Sequence, residues 1–118
     1  MGGGIVIIVS KTLTITGAIN VNGDVGYTSS IPASGGGGGG AGGAVLLKGK
    51  TLTIGTNLIT VALGAGGNEN ADGGAGSVGR IHADYSISLT GTTTPTIDST
   101  LDLTIKERQG GAFLYNFI

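Results

Sequence analysis

Apolar and polar residues alternate one by one in Lys-Thr-Leu-Thr-Ile at Lys11–Ile15, and the same five residues return at Lys50–Ile54. In an extended chain Leu13 and Ile15 fall on one face and Thr12, Thr14 and Thr16 on the other. A period of two predicts a strand with one buried and one wet side. Each copy follows a short apolar run preceded by glycines, Ile5–Val9 and Ala44–Leu47. Those runs are apolar on both faces, which predicts strands covered on both. The offset is a constant 39 residues, from Lys11 to Lys50. A weaker third copy, Tyr85-Ser86-Ile87-Ser88-Leu89-Thr90-Gly91, stands in the place of Lys11–Gly17. No stretch shows a convincing 3.6-residue period, so almost no helix is predicted.

Three units align: 5–9, 12–16 and 18–22; then 44–48, 51–55 and 58–62; then 79–83, 86–90 and 96–100. One such unit cannot bury its inner face alone, whereas stacked units bury a continuous core. The expected ladders are Leu13/Leu52/Ile87 and Ile15/Ile54/Leu89 inside, with Thr14/Thr53/Ser88 outside. The fold expected is all-β, a short parallel β-solenoid of about three turns with glycine-rich excursions and a C-terminal strand pair. It forms a single domain over 1–118, with repeat units 2–23, 42–63 and 76–100, excursions 24–43 and 64–78, and C-terminal strands 101–118. A β-sandwich of the same strands is the alternative.

Composition sharpens this picture. Glycine supplies 26 of 118 residues, roughly three times ordinary usage, and charged residues only 11%. The glycines concentrate in the excursions, Gly35–Gly40 with Gly42 and Gly43 in one, Gly64 to Gly76 in the other. Glycine-rich chains either behave as coil or pack backbone against backbone. Packing is the expectation here, against the outer face of Ile5–Val9 or another subunit, because ordering glycine is entropically expensive without it.

The segments Gly35–Leu47, Thr51–Val61 and Gly73–Ile81 combine a glycine run, an apolar strand, a Thr-rich strand and a second glycine run. Over roughly 2–97 the chain resembles the glycine-rich right-handed parallel β-helix repeats of bacterial surface and secreted proteins and of phage tail fibres. That resemblance implies a structural or adhesive role rather than a reaction.

Net charge is −1 with six scattered basic residues, which argues against nucleic acid as a partner. Mean hydropathy is +0.34, yet the longest apolar run, Ile5–Val9, is far short of a spanning helix, so no membrane partner is expected. Absence of cysteine excludes disulfides and thiolate metal sites. Met1-Gly2-Gly3-Gly4 lacks the basic region of a signal peptide, and Val6 breaks the myristoylation pattern. An extracellular, cell-surface or virion location is the expectation; a virion protein released by lysis needs no leader.

Candidate chemistry is sparse. Asn68, Glu69, Asn70 and Asp72 gather oxygens of the kind calcium takes, but in no calcium-loop pattern, and turn chemistry explains them as well. No metal and no cofactor are expected. Arg80, His82 and Asp84 share one strand face, and an Arg80–Asp84 ion pair is expected there. Such charged stripes occur on polysaccharide-cleaving solenoids, but three turns give little cleft, so no enzyme is expected. With Gly35, Gly38 and Gly40 these three form the candidate ligand surface. Leu101, Leu103 and Ile105 should point inward from an alternating strand.

Three of the chain's five aromatic residues fall in its last seven positions, with Phe113, Tyr115 and Phe117 on one face of a predicted strand. Such an apolar segment is either a cap on the last turn or a subunit contact. Phe113, Leu114, Tyr115, Phe117 and Ile118, with Ile5 and Ile7 at the first strand, are the candidate self-assembly interface. The functional expectation is a self-assembling subunit of an extracellular filament or fibre, its partner being itself. The alternative is an adhesin or receptor-binding module whose glycine loops contact cell-surface glycan or protein.

Overall fold

A computed structural model describes residues 1–31, 34–68, 71–107 and 113–114. They form no helix, and thus none long and apolar enough to cross a membrane. Six strands make one sheet: β1 (Ile5–Val9), β2 (Thr12–Thr14), β3 (Ile19–Asn20), β4 (Ala44–Thr60), β5 (Arg80–Thr94) and β6 (Asp98–Leu101). The order is β1-β4-β5-β6, with β2 and β3 also paired to β4, and every pair is parallel. An antiparallel sandwich of these strands is therefore not what forms. β7 (Lys106–Glu107) and β8 (Phe113–Leu114) pair antiparallel, so the expected first C-terminal strand over 101–106 contributes only Lys106 to this pair.

The Lys-Thr-Leu-Thr-Ile copies lie side by side. Ile5 pairs with Ala44, Thr12 with Thr51 and Leu13 with Leu52, preserving the 39-residue offset. In the later copies the short strands fuse into the 17-residue β4 and the 15-residue β5. The inward side chains Val45, Leu47, Leu52, Ile54, Ile59, Val61, Ile81 and Ala83 form the core with Ile15 and Val21.

The third copy departs from the expected register. Leu52 pairs with Leu89, not Ile87; Thr51 pairs with Ser88 and Thr53 with Thr90. The cause lies at the corner, where Gly49 pairs with Tyr85 but Thr51 with Ser88. Ser86 and Ile87 there oppose the single residue Lys50. One extra residue reverses the side on which each side chain emerges. Ile87 is thus 64% exposed, while the Ser86 hydroxyl is buried without a partner. The inner ladder is Leu13/Leu52/Leu89, and the outer ladders are Thr12/Thr51/Ser88 and Thr14/Thr53/Thr90. Leu89 accordingly does not continue Ile15/Ile54.

Two further expectations are corrected. Thr96–Thr100 does not complete the third unit: Thr94 takes that place opposite Thr60, and β6 instead starts a fourth row beside His82–Tyr85. Leu101 and Leu103 do not point inward. The strand ends at Leu101, a turn follows in which Asp102 bonds Thr104, and Ile105 alone of the three is buried.

The described residues of the glycine excursions are ordered, by a device of their own. Gly36, Gly39 and Gly42 donate to the carbonyls of Ala71, Gly74 and Ser77, each at 2.8 Å. Interleaved with them, Gly37, Gly40 and Gly43 donate to Tyr27, Asp24 and Val21, also at 2.8 Å. Gly64 and Gly67 donate back to Gly40 and Gly37, and Gly73, Gly76 and Gly79 to Gly67, Gly64 and Val61. Bonds recurring every third residue define extended chains of three residues per turn, the polyproline-II type, here cross-linked instead of solvated. Five segments (1–3, 22–28, 35–43, 61–68 and 71–79) thereby form a slab in which 35–43 is central. Positive φ among the described glycines is confined to Gly55 and Gly91. Glycine is demanded in the slab by space, not by dihedral angle: a Cβ on Gly36, Gly40, Gly64 or Gly73 would lie closer than 3.0 Å to neighbouring backbone. The slab packs on itself and leaves the outer face of β1 bare, with Ile5 76% and Ile7 63% exposed.

Candidate functional site

Parallel register turns single residues into rows across the outer face of the first sheet. Ile7, Leu46, His82 and Asp98 make one row; Val9, Lys48, Asp84 and Thr100 the next. The face grades from apolar at β1 to charged at β5 and β6. His82 Nδ1 lies 3.0 Å from Asp98 Oδ2, and its Nε2 lies 3.1 Å from Asp84 Oδ1. A carboxylate only accepts, so an imidazolium makes both bonds and a neutral ring makes one. The expected Arg80–Asp84 pair is replaced by His82–Asp84, and Arg80 is exposed with no ion-pair partner among the described residues. Asp98 was not legible as a member of this group. It arrives because the Thr94–Ile97 connection places β6 in register with His82.

Beside this row, Lys48 Nζ reaches Asp102 Oδ2 at 3.5 Å, with both side chains mostly covered. Asp102 also accepts from the Thr104 amide at 2.9 Å and from the Thr104 hydroxyl. The Thr104 bonds, joined by the Lys48 charge, hold the Asp102 carboxyl below its ordinary value of 3.8. A depressed folded value means that this carboxylate stabilises the fold above about pH 4 and that the gain vanishes as pH falls through the folded value. Asp102→Asn is expected to flatten the acid side of the stability–pH curve while leaving its neutral and basic sides parallel to the parent. Urea midpoints between pH 2.5 and 7 check this; an unchanged acid limb refutes it.

The glycines nominated for ligand contact separate. Gly35 and Gly38 are exposed, whereas Gly40 is half-buried, packed against the Met1 and Asp24 backbone. In the oxygen-rich loop, the Asn68 amide donates to the Thr28 hydroxyl and Asp72 is exposed. Glu69 and Asn70 lie outside the described residues. Among the described residues no three His, Asp or Glu side chains gather to hold a metal ion. Of the nominated interface, Ile5 and Ile7 are exposed on an edge strand, and Phe113 and Leu114 lie in β8. Tyr115, Phe117 and Ile118 lie outside the described residues.

No protein-family model, curated protein or solved structure matches this chain. The functional reading therefore rests on the geometry alone.

Proposed function

We propose that the chain is a short parallel β-solenoid that acts as a self-assembling structural subunit of an extracellular filament or fibre, without catalysis. Like residues stack in three rows of parallel strands over one common core, which supports the solenoid reading. The observation that carries the assembly reading is the free edge of β1. One of its sides pairs with β4; the other has no strand partner among the described residues, and Ile5 to Val9 include no proline or charge. Natural edge strands are usually guarded by such residues, and an unguarded one templates another chain. The exposed Ile5 and Ile7 side chains add apolar surface to the same strand.

Ile7→Lys places a charge on that strand without touching the core. Association is expected to weaken by at least about tenfold, roughly 1.4 kcal/mol. Sedimentation velocity and negative-stain microscopy would follow it. A parent chain that stays monomeric at every concentration, or a variant that assembles like the parent, contradicts the proposal.

A second reading, an adhesin or receptor-binding module for a cell-surface glycan or protein, draws on the slab. Its end away from β1–β5 exposes Tyr27 and Ile31 beside Thr28 and Asn68. The long dimension of the molecule, 67 Å against 28 and 18 Å, suits projection of such a tip.

A further inference from the structure

The outward face of the middle strands carries a feature that neither reading uses. Thr12, Thr51 and Ser88 form one rank across β2, β4 and β5, and Thr14, Thr53 and Thr90 form the next. Adjacent strands are about 4.8 Å apart and alternate residues along a strand about 6.6 Å apart, so six hydroxyls occupy a nearly regular two-dimensional net. Five belong to threonine, whose branched side chain is stiff about χ1 and holds hydroxyl and methyl in fixed places.

Some hydroxyls elsewhere in the molecule are engaged, although that of Ser86 is not. Thr60 donates to Asn20, and Thr92 and Thr94 both donate to the Asn57 side chain. Thr93 donates to the Pro95 carbonyl. None of the six hydroxyls in the two ranks has a hydrogen-bonding partner among the described residues. The net carries no charge, since Lys11 and Lys50 stand at its border. No aromatic ring lies within it, as Tyr85 precedes β5's part of the net and Tyr27 belongs to the slab.

These properties narrow the ligand. A hydroxyl both donates and accepts, so it can enter a water lattice. A methyl does neither and constrains the water beside it. A rigid neutral net of alternating hydroxyls and methyls is thus suited to a solid whose own surface is a periodic net of water. Sugars would look instead for a ring to stack on, and this face offers none. We propose that the Thr12/Thr14, Thr51/Thr53 and Ser88/Thr90 face binds ice. The idea does not depend on self-assembly, although copies stacked in register would lengthen the net.

The test uses the full chain, fluorescently labelled, and measures its uptake into a slowly growing ice hemisphere together with the thermal hysteresis of its solution. The parent is expected to enter the ice and open a hysteresis gap. Thr53→Lys, at the centre of the net, should lose both signals to the level of an inert carrier protein. Thr14→Lys, on the edge strand, repeats the test should the central variant melt early. Ala65→Lys, on the exposed slab, should retain both. Exclusion of the parent from ice overturns the proposal, as does full activity in a natively folded Thr53→Lys or Thr14→Lys chain. Binding to microcrystalline cellulose or chitin without binding to ice overturns it in favour of a polysaccharide surface. Loss of assembly in Ile7→Lys with ice uptake intact separates this face from the edge.

Discussion

Adding one methyl group at Gly64 is expected to destabilise the protein by about 3 kcal/mol or more, while the same change at Gly74 leaves it intact. The Gly64 Cβ would run into the Asp24 carbonyl and crowd Gly23. Both obstacles are backbone, so no rotamer change relieves them. Separating the segments would stretch the bonds that Gly64 makes through its amide to Gly40, at 2.7 Å, and through its carbonyl from Gly76, at 2.9 Å. Overpacking costs about 1–3 kcal/mol and each hydrogen bond roughly 1 kcal/mol more. At Gly74 nothing lies within 4 Å of the added carbon and φ is not positive. Gly74→Ala also restricts the unfolded chain, which favours folding by about 0.4–1 kcal/mol. Thermal and urea unfolding of the two variants decide the matter. Equal melting of Gly64→Ala and the parent would mean that the slab is not packed as described.

Leu52→Ala is the second large effect. Leu52 is 0% exposed and stands between Leu13 and Leu89 in the inner ladder. Truncation removes apolar contact in both directions and leaves a cavity that neighbouring strands, fixed by their ladders, close poorly. The expected loss is about 2–5 kcal/mol. That is a large share of the roughly 5–15 kcal/mol that holds a domain of ordinary stability. The melting temperature should fall by roughly 10 °C or more. Leu103→Ala makes the same chemical change at a side chain 71% exposed and should leave the melting curve in place. A Leu52→Ala loss no larger than that of Leu103→Ala would show that the ladder does not carry the core.

The contrast between these positions marks how far the residues alone could be read. The pairing of β1 and β2 with β4 was legible because five identical residues recur with nothing inserted between the strands. The third row was legible as a copy but not in register. Ile87 reads as apolar and inward, yet the extra corner residue turns it outward, and alternation cannot reveal a bulge that preserves alternation beyond it. Leu101 and Leu103 misled for a similar reason: their spacing is strand-like, but the turn closed by Asp102 and Thr104 ends the strand before it matters.

The site was divided in the same manner. His82 and Asp84, two residues apart, had to share a face. Their third partner, Asp98, depends on the length of a connection rather than on any spacing rule. The slab was half visible. Gly23 with Gly26, Gly64 with Gly67, and Gly73, Gly76 and Gly79 all display a period of three. The uninterrupted central run hides that period, because a segment buried on two of its three sides needs glycine at two positions of every three, and Gly35 and Gly38 fill the third as well.

That period of three has a consequence for how such a protein can change its length. A strand keeps its faces only if residues are gained or lost in pairs. A slab segment keeps its faces only if they are gained or lost in triplets. Sheet and slab alternate along one chain, so this fold is written in two reading frames of geometry. Growth of the glycine arms by whole triplets would move the tip outward while leaving every row of the sheet where it stands.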